Sequence, residues 1–285
     1  MVKLNKNVDA LSLVDEFGGM TRNRQQDSHA SVSKTDVKST IKALLRGETY
    51  YLQHFRSKAH KVGLLEQAID SGDGNAIIAI ILFMKQTLSP KLFKMEIVNR
   101  EEAINHYLVY LRITNQHAEL IDFLTMLGSN EEAAIVAYVQ AVKPKLIDSK
   151  IKNLKRMRDH HCPNTETRNE LKQLRHVVSE HIDLLERQQP IEFQDKKTEE
   201  TLLDPKSMFI QVPRSPLPGQ SILSTLEYCC IYHFDVPETF LASPELLRKT
   251  YNLSPKQFTW TCLRAIARSQ RWTNVDALFE TKVGF

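Results

Sequence analysis

Residues 101–141 read EEAINHYLVYLRITNQHAELIDFLTMLGSNEEAAIVAYVQA. Glu101-Glu102-Ala103-Ile104 opens one apolar-periodic segment, and Glu131-Glu132-Ala133-Ala134-Ile135 opens a second, thirty positions later. Tyr107 and Tyr138 follow at nearly the same offset. Acidic residues complement the positive end of a helix dipole, so each motif reads as a helix start. Between them Ala118 to Leu127 reads as a shorter helix, closed by Gly128-Ser129-Asn130. Helix, short turn, helix at a fixed period is the pattern of stacked α-hairpins, because one hairpin cannot bury its apolar face alone. The expected fold class is all-α, an α-solenoid of stacked helical hairpins. A non-repetitive bundle whose helices open with acidic turns is the competing reading of two copies.

Working outward toward the N-terminus, Ser89-Pro90 fits a helix start with proline at the first helical position. Asn75 to Leu88 is a very apolar helix with Asp73 as its N-cap, after the turn Ser71-Gly72-Asp73-Gly74. Another helix is expected from Glu48 to Ile69, and a first one from Val37 to Leu45, ended by Gly47. Residues 1–34 are polar apart from Leu11, Leu13, Val14 and Phe17, and read as a flexible lead-in.

Toward the C-terminus, Lys145 to Arg158 reads as a basic helix, ended by the breaker Cys162-Pro163-Asn164. A long helix follows over 166–187, with Leu171, Leu174, Val178, Ile182 and Leu185 on one narrow stripe. Pro190, Pro205, Pro213, Pro216 and Pro218 then make 190–220 an extended connector, with at most a short helix near Glu199 to Leu203. Beyond it Ser221 caps Ile222 to Tyr232, while Ser243-Pro244 and Ser254-Pro255 open helices running to Tyr251 and Ser269. Asn274 to Glu280 is the last. The expected organisation is a lead-in (1–34), N-terminal hairpins (35–189), a proline-rich connector (190–220) and C-terminal hairpins (221–285).

Composition narrows the function. The 285 residues carry 38 Lys+Arg against 34 Asp+Glu, a net +4 that is too mild for a nucleic-acid binder. Apolar residues make up 42%, enough for a substantial core. Nine glycines are under half the usual share of ~7%. Barrels, dinucleotide sites and phosphate loops all lean on glycine. No G-x-G-x-x-G, G-x-x-x-x-G-K-[ST], H-E-x-x-H or G-x-S-x-G motif is present. The longest apolar run, Ala76 to Met84, falls well short of the ~20 residues of a bilayer span. No transmembrane segment is expected. Met1-Val2-Lys3-Leu4-Asn5-Lys6-Asn7 has no apolar h-region, and Cys162, Cys229, Cys230 and Cys262 form no C-x-x-C pair. Reduced thiols in a cytoplasmic protein are expected.

Few residue sets suggest chemistry. His160-His161-Cys162 has no second ligand pair nearby, so it reads as an exposed interhelical loop rather than a metal site. Cys229-Cys230 sits in an apolar helix, where buried thiols act as small hydrophobes. Lys150, Lys152, Lys155, Arg156 and Arg158 are a candidate anionic-surface site for lipid or RNA, without interleaved aromatics; a solvated helix face is the plainer reading. The remaining histidines, such as His54, His60, His106, His117, His176, His181 and His233, are spread singly, and no nucleophile or carboxylate pair stands out, so neither an enzyme nor a cofactor is expected. The informative set is Phe258, Trp260, Arg264, Arg268, Arg271 and Trp272, which holds both tryptophans of the chain. Trp and Arg dominate interface hot spots. At least one tryptophan is expected in the core, with the arginines the better partner-binding candidates. A general peptide-binding adaptor using the 100–143 repeat is an alternative.

Two stretches carry a resemblance. Gly72-Asp73-Gly74-Asn75-Ala76-Ile77-Ile78-Ala79, continuing through Leu82-Phe83-Met84-Lys85-Gln86-Thr87-Leu88-Ser89, resembles the spermatogenesis-defective/VIPAR family, paralogue of the sixteen-type class C vacuolar protein sorting subunit. Independently, Pro218-Gly219-Gln220-Ser221-Ile222 with Thr225-Leu226, Tyr251 with Leu253-Ser254-Pro255-Lys256-Gln257-Phe258 and Trp260, and Arg271-Trp272 with Leu278-Phe279 are similar to the same family. The resemblance covers about 40–285. It implies an α-solenoid that docks a Sec1/Munc18-type vacuolar protein sorting partner, the thirty-three type, in endosomal and lysosomal trafficking and membrane tethering. It also implies contact with a Rab or an endosomal membrane through that complex. Carried over by position, docking falls on 221–285. The family's helices continue beyond the point where this sequence stops, at Lys282-Val283-Gly284-Phe285.

Overall fold

The computed structural model describes residues 36–163, 168–201 and 207–280. These residues form helices with short connections, and no strand occurs among them. The expected lead-in, 1–34, lies outside the described residues. The chain divides into two compact units at Ala133/Ala134.

In the first unit, α1 (Val37–Arg46), a 3₁₀ turn (Leu52–His54), α2 (Lys58–Ser71), α3 (Gly74–Thr87), α4 (Pro90–Val98), α5 (Glu101–Ile113) and α6 (His117–Met126) follow one another. The expected helix from Glu48 begins only at Lys58. The reason is local: Ser57 accepts a hydrogen bond from His60 N–H and fixes the N-cap. The Gly72-Asp73-Gly74-Asn75 motif explains itself physically. Gly72 ends α2 with φ 68°, a left-handed cap that favours glycine, and Asp73 accepts from Ala76 N–H at 2.8 Å to start α3.

Helices here pack on their chain neighbours, α1 on α2, α2 on α3, α4 on α5 and α5 on α6, and on the next helix but one, α3 on α5. The all-α hairpin-stacking class therefore holds. The core centres on Phe93, Tyr107 and Phe123, with ring centroids 5.4–6.2 Å apart, edge to face. Tyr107 is fully buried, and its hydroxyl donates to Glu119 at 2.8 Å, which Lys85 pairs at 2.6 Å. Burial, reinforced by that carboxylate, pushes the Tyr107 phenol well above its ordinary range.

The second unit holds most of α7 (Asn130–Ala141), then α8 (Ile147–His161), α9 (Asn169–Thr201), α10 (Met208–Gln211), α11 (Ile222–Tyr232), α12 (Pro244–Thr250), α13 (Pro255–Ser269) and α14 (Asn274–Glu280). The last helices agree closely with the sequence reading, each Ser-Pro start included. At the end of α8, the Arg175 guanidinium donates to the Arg158 and Cys162 carbonyls. Cys162 is fully buried, so the expected exposed loop is not found at that residue.

The larger correction concerns 190–220. Helix α9 runs through Pro190 to Thr201, so no extended connector begins at 190. Of the short helix expected at Glu199 to Leu203, residues 199–201 belong to α9, and Leu202 and Leu203 lie outside the described residues. A proline inside a helix costs about 3 kcal/mol through its missing N–H and its ring clash. Tertiary bonds outweigh that here. Gln188 is fully buried, and its Nε2 donates to the Gln220 carbonyl (2.9 Å) and Thr225 Oγ1 (2.7 Å), while its Oε1 accepts from Gly219 N–H (2.8 Å). Glu192 accepts from Leu217 N–H (2.9 Å) and Arg214 (2.7 Å). Asp195 accepts from the Tyr228 hydroxyl (2.6 Å), with His233 Nε2 at 2.9 Å. The proline-rich segment 213–220 is thus strapped along α9 by backbone bonds to a polar stripe. The boundary between compact units falls earlier, within α7.

Candidate functional site

Helix α13 is fixed at both ends. Ser254 Oγ accepts from Gln257 N–H, Gln257 Oε1 accepts from Ser254 N–H, and Pro255 occupies the first helical position. Gln270 ends the helix in the left-handed region at φ 55°, its N–H bonded to the Ile266 carbonyl. The helix is amphipathic, and its inner face (Phe258, Cys262, Ala265, Ile266) packs on Leu226, Cys229, Cys230 and Ile231 of α11 and its surroundings. Cys230 and Cys262 bring their sulfurs to 3.2 Å across that seam. Burial pushes the Cys229 thiol well up, so it stays protonated and acts as packing.

Phe258 is therefore a core residue, 3% exposed, with the Arg248 guanidinium 5.0 Å from its ring centroid. It does not belong to a surface. The expectation of a buried tryptophan is overturned as well: Trp260 is 65% and Trp272 63% exposed. Trp260, Arg264 and Arg268 stand four residues apart, and so share the outer face of α13. Arg271 and Trp272 follow just past the helix end, Arg271 partly buried.

The two arginines converge on one carboxylate. Glu227 of α11 is largely buried and receives Arg264 Nη2 at 3.2 Å and Arg268 Nη1 at 3.4 Å. Two guanidiniums against one carboxylate leave a formal +1, and each side chain is still more than half exposed. Exposed ion pairs of this kind add little stability. What they do is hold two long side chains in one orientation. Beside them opens a small polar cleft of about 160 Å³, lined by Ser215, Gln220, Ser224, Glu227, Tyr228 and Arg264 among others. Arg214, next to Ser215 in the chain, is held by Glu192 and Glu199 (2.7 and 2.9 Å).

The anionic-surface candidates all lie on α8. Lys152, Lys155 and Arg156 are exposed, and Lys150 and Arg158 partly so. Lys155 pairs with Glu186 at 2.6 Å and Arg158 with Asp159 at 3.0 Å, which reduces the net field of the helix. No group of three or more potential metal ligands converges among the described residues, and no helix among them is long and apolar enough to cross a membrane. Sequence reasoning missed Glu227, Gln188 and Ser215. The spacing Gln188, Glu192, Asp195, Glu199 was a visible signal, since four polar residues at helical spacing mark a shared face.

Fold and surface together define an all-α hairpin scaffold. Comparison with known proteins adds the family: the model described as Vps16, C-terminal region matches residues 52–201, more than half of the chain, which belongs to that family. The chain is 33% identical over 262 residues to spermatogenesis-defective protein 39 homolog of Danio rerio, covering 92% of this chain and 51% of that protein. The Mus musculus homolog is 32% identical over 247 residues (86% and 48%), and spermatogenesis-defective protein 39 of Caenorhabditis elegans 27% over 256 (89% and 47%). The chain spans about half the length of these curated relatives.

Proposed function

We propose that this chain is a non-catalytic scaffold subunit of endosomal–lysosomal vesicle trafficking and tethering, cytoplasmic and peripheral on endosomes or lysosomes. It binds a Sec1/Munc18-type partner of the thirty-three type through the outer face of α13, using Trp260, Arg264, Arg268, Arg271 and Trp272. One observation carries this reading: an exposed tryptophan and two carboxylate-pinned arginines lie in a row on a helix capped at both ends. A rigid Trp–Arg row loses little side-chain entropy on binding, which is what separates hot spots from ordinary surface. The uncompensated charge favours an acidic patch on the partner. The family match supports a vacuolar-sorting setting.

The test is affinity measured against folding. Trp260→Ala should weaken partner binding by about 2 kcal/mol or more, and Arg264→Asp or Arg268→Asp should do likewise, with helicity and melting temperature held. Unchanged affinity in all three variants would place the docking surface elsewhere. A general fall in melting temperature would assign these residues to the fold.

A further inference from the structure

The sequence holds four Ser-Pro pairs, at Ser89, Ser215, Ser243 and Ser254. Three are helix starts, with the proline at the first helical position. Ser243 is buried and its hydroxyl accepts from Leu246 N–H, and Ser254 is held in the capping box. Ser89 is exposed at the start of α4 and makes no side-chain cap bond. Ser215, also exposed, differs in lying outside any helix start, in the non-helical run between Val212 and Ser221, with Pro216 after it and Arg214 before it. That run is held from behind, since Arg214 and the Leu217 N–H are both bonded to Glu192. Ser215 lines the same cleft as Arg264, Arg268 and Glu227.

We propose that Ser215 is a phosphorylation site whose phosphate is captured by Arg264 and Arg268. The donor is ATP and the catalyst a proline-directed serine kinase. The Ser215 Oγ–P bond forms as the bond from the γ-phosphorus to the bridging oxygen breaks; ADP leaves, and the hydroxyl proton passes to the kinase's base. A non-helical, exposed Ser-Pro fits such an active site, whereas a serine at a helix start does not.

The product carries about −1.5 to −2 charge and three strong acceptor oxygens. Arg264 and Arg268 line the same cleft as Ser215, each with guanidinium N–H groups beyond those spent on Glu227. Phosphate competes with that carboxylate for both guanidiniums, and charge-assisted bonds of this kind are the strong ones. The local charge changes from +1 to about −1. A surface suited to an acidic partner becomes one that repels it. This consequence rests on the docking reading above; the capture itself does not.

The full chain is treated with a proline-directed serine kinase and ATP, the site mapped by peptide mass, and the phosphate followed by phosphorus NMR against pH. Incorporation at Ser215 is expected, absent in Ser215→Ala, with a second ionisation clearly below the ~6 of a free phosphoserine. Arg264→Ala/Arg268→Ala should return it to about 6, and Glu227→Gln, which frees both guanidiniums, should lower it further. No modification at Ser215, or a phosphate titrating near 6 in both wild type and the double arginine variant, overturns the proposal. Partner affinity is then measured on the same samples. A loss of tenfold or more supports capture and docking together. Captured phosphate with unchanged affinity upholds the capture and counts against the docking reading alone.

Discussion

Phe258 and Trp260 are two residues apart on one helix and have opposite environments, 3% and 65% exposed. Composition groups them; only the helical phase separates them. Phe258→Ala should therefore cost about 3–5 kcal/mol of stability, read as a large fall in melting temperature. Trp260→Ala should stay within about 0.5 kcal/mol of wild type. At Glu96 the same scale gives a pH dependence. Its carboxyl is held below the ordinary range first by the hydrogen bond from Lys58 and then by Arg100, against the opposing effect of burial. A depressed folded value means stability that is complete above the ordinary carboxylate range and lost as pH falls through the folded one. Thermal melts from neutral to acid pH should show that loss, and Glu96→Gln should flatten part of it. An unchanged acid limb in the variant would contradict the assignment.

Among elements, α9 is the most instructive. Pro190 is exposed in its middle and leaves the Glu186 carbonyl without the N–H that a helix would place there. Pro190→Ala should raise the melting temperature, by up to about 3 kcal/mol of stability. A fall would mean that the ring itself is needed. Gln188→Ala should do the opposite, costing about 2–3 kcal/mol, because it leaves the Gly219 N–H and the Gln220 carbonyl without their partner. These two residues also show why part of the chain was legible and part was not. Ser221, Ser243-Pro244 and Ser254-Pro255 gave helix starts correctly, since an N-cap is a local interaction between residues three apart. Pro190 misled because its penalty is local while the bonds that offset it join positions more than thirty residues apart. The docking candidates divide in the same way: the arginines were found by residue type, but Glu227, which orients them, comes from another helix.

At the scale of the whole molecule, the family match spans 52–201, and the candidate surface lies on helices beyond it. Deleting 215–285 is a poor test of docking. It would strip Gln188 and Asp195 of their partners and disturb α9 along with the surface. Point variants on the outer face of α13 avoid this. The most direct measurement is co-expression of the full chain with the thirty-three-type Sec1/Munc18 partner, followed by size and mass analysis, for wild type and for Trp260→Ala/Arg264→Ala/Arg268→Ala. A stable complex is expected with wild type and two separate proteins with the triple variant, at matched melting temperatures. A complex of equal mass and affinity with the triple variant would contradict the docking reading.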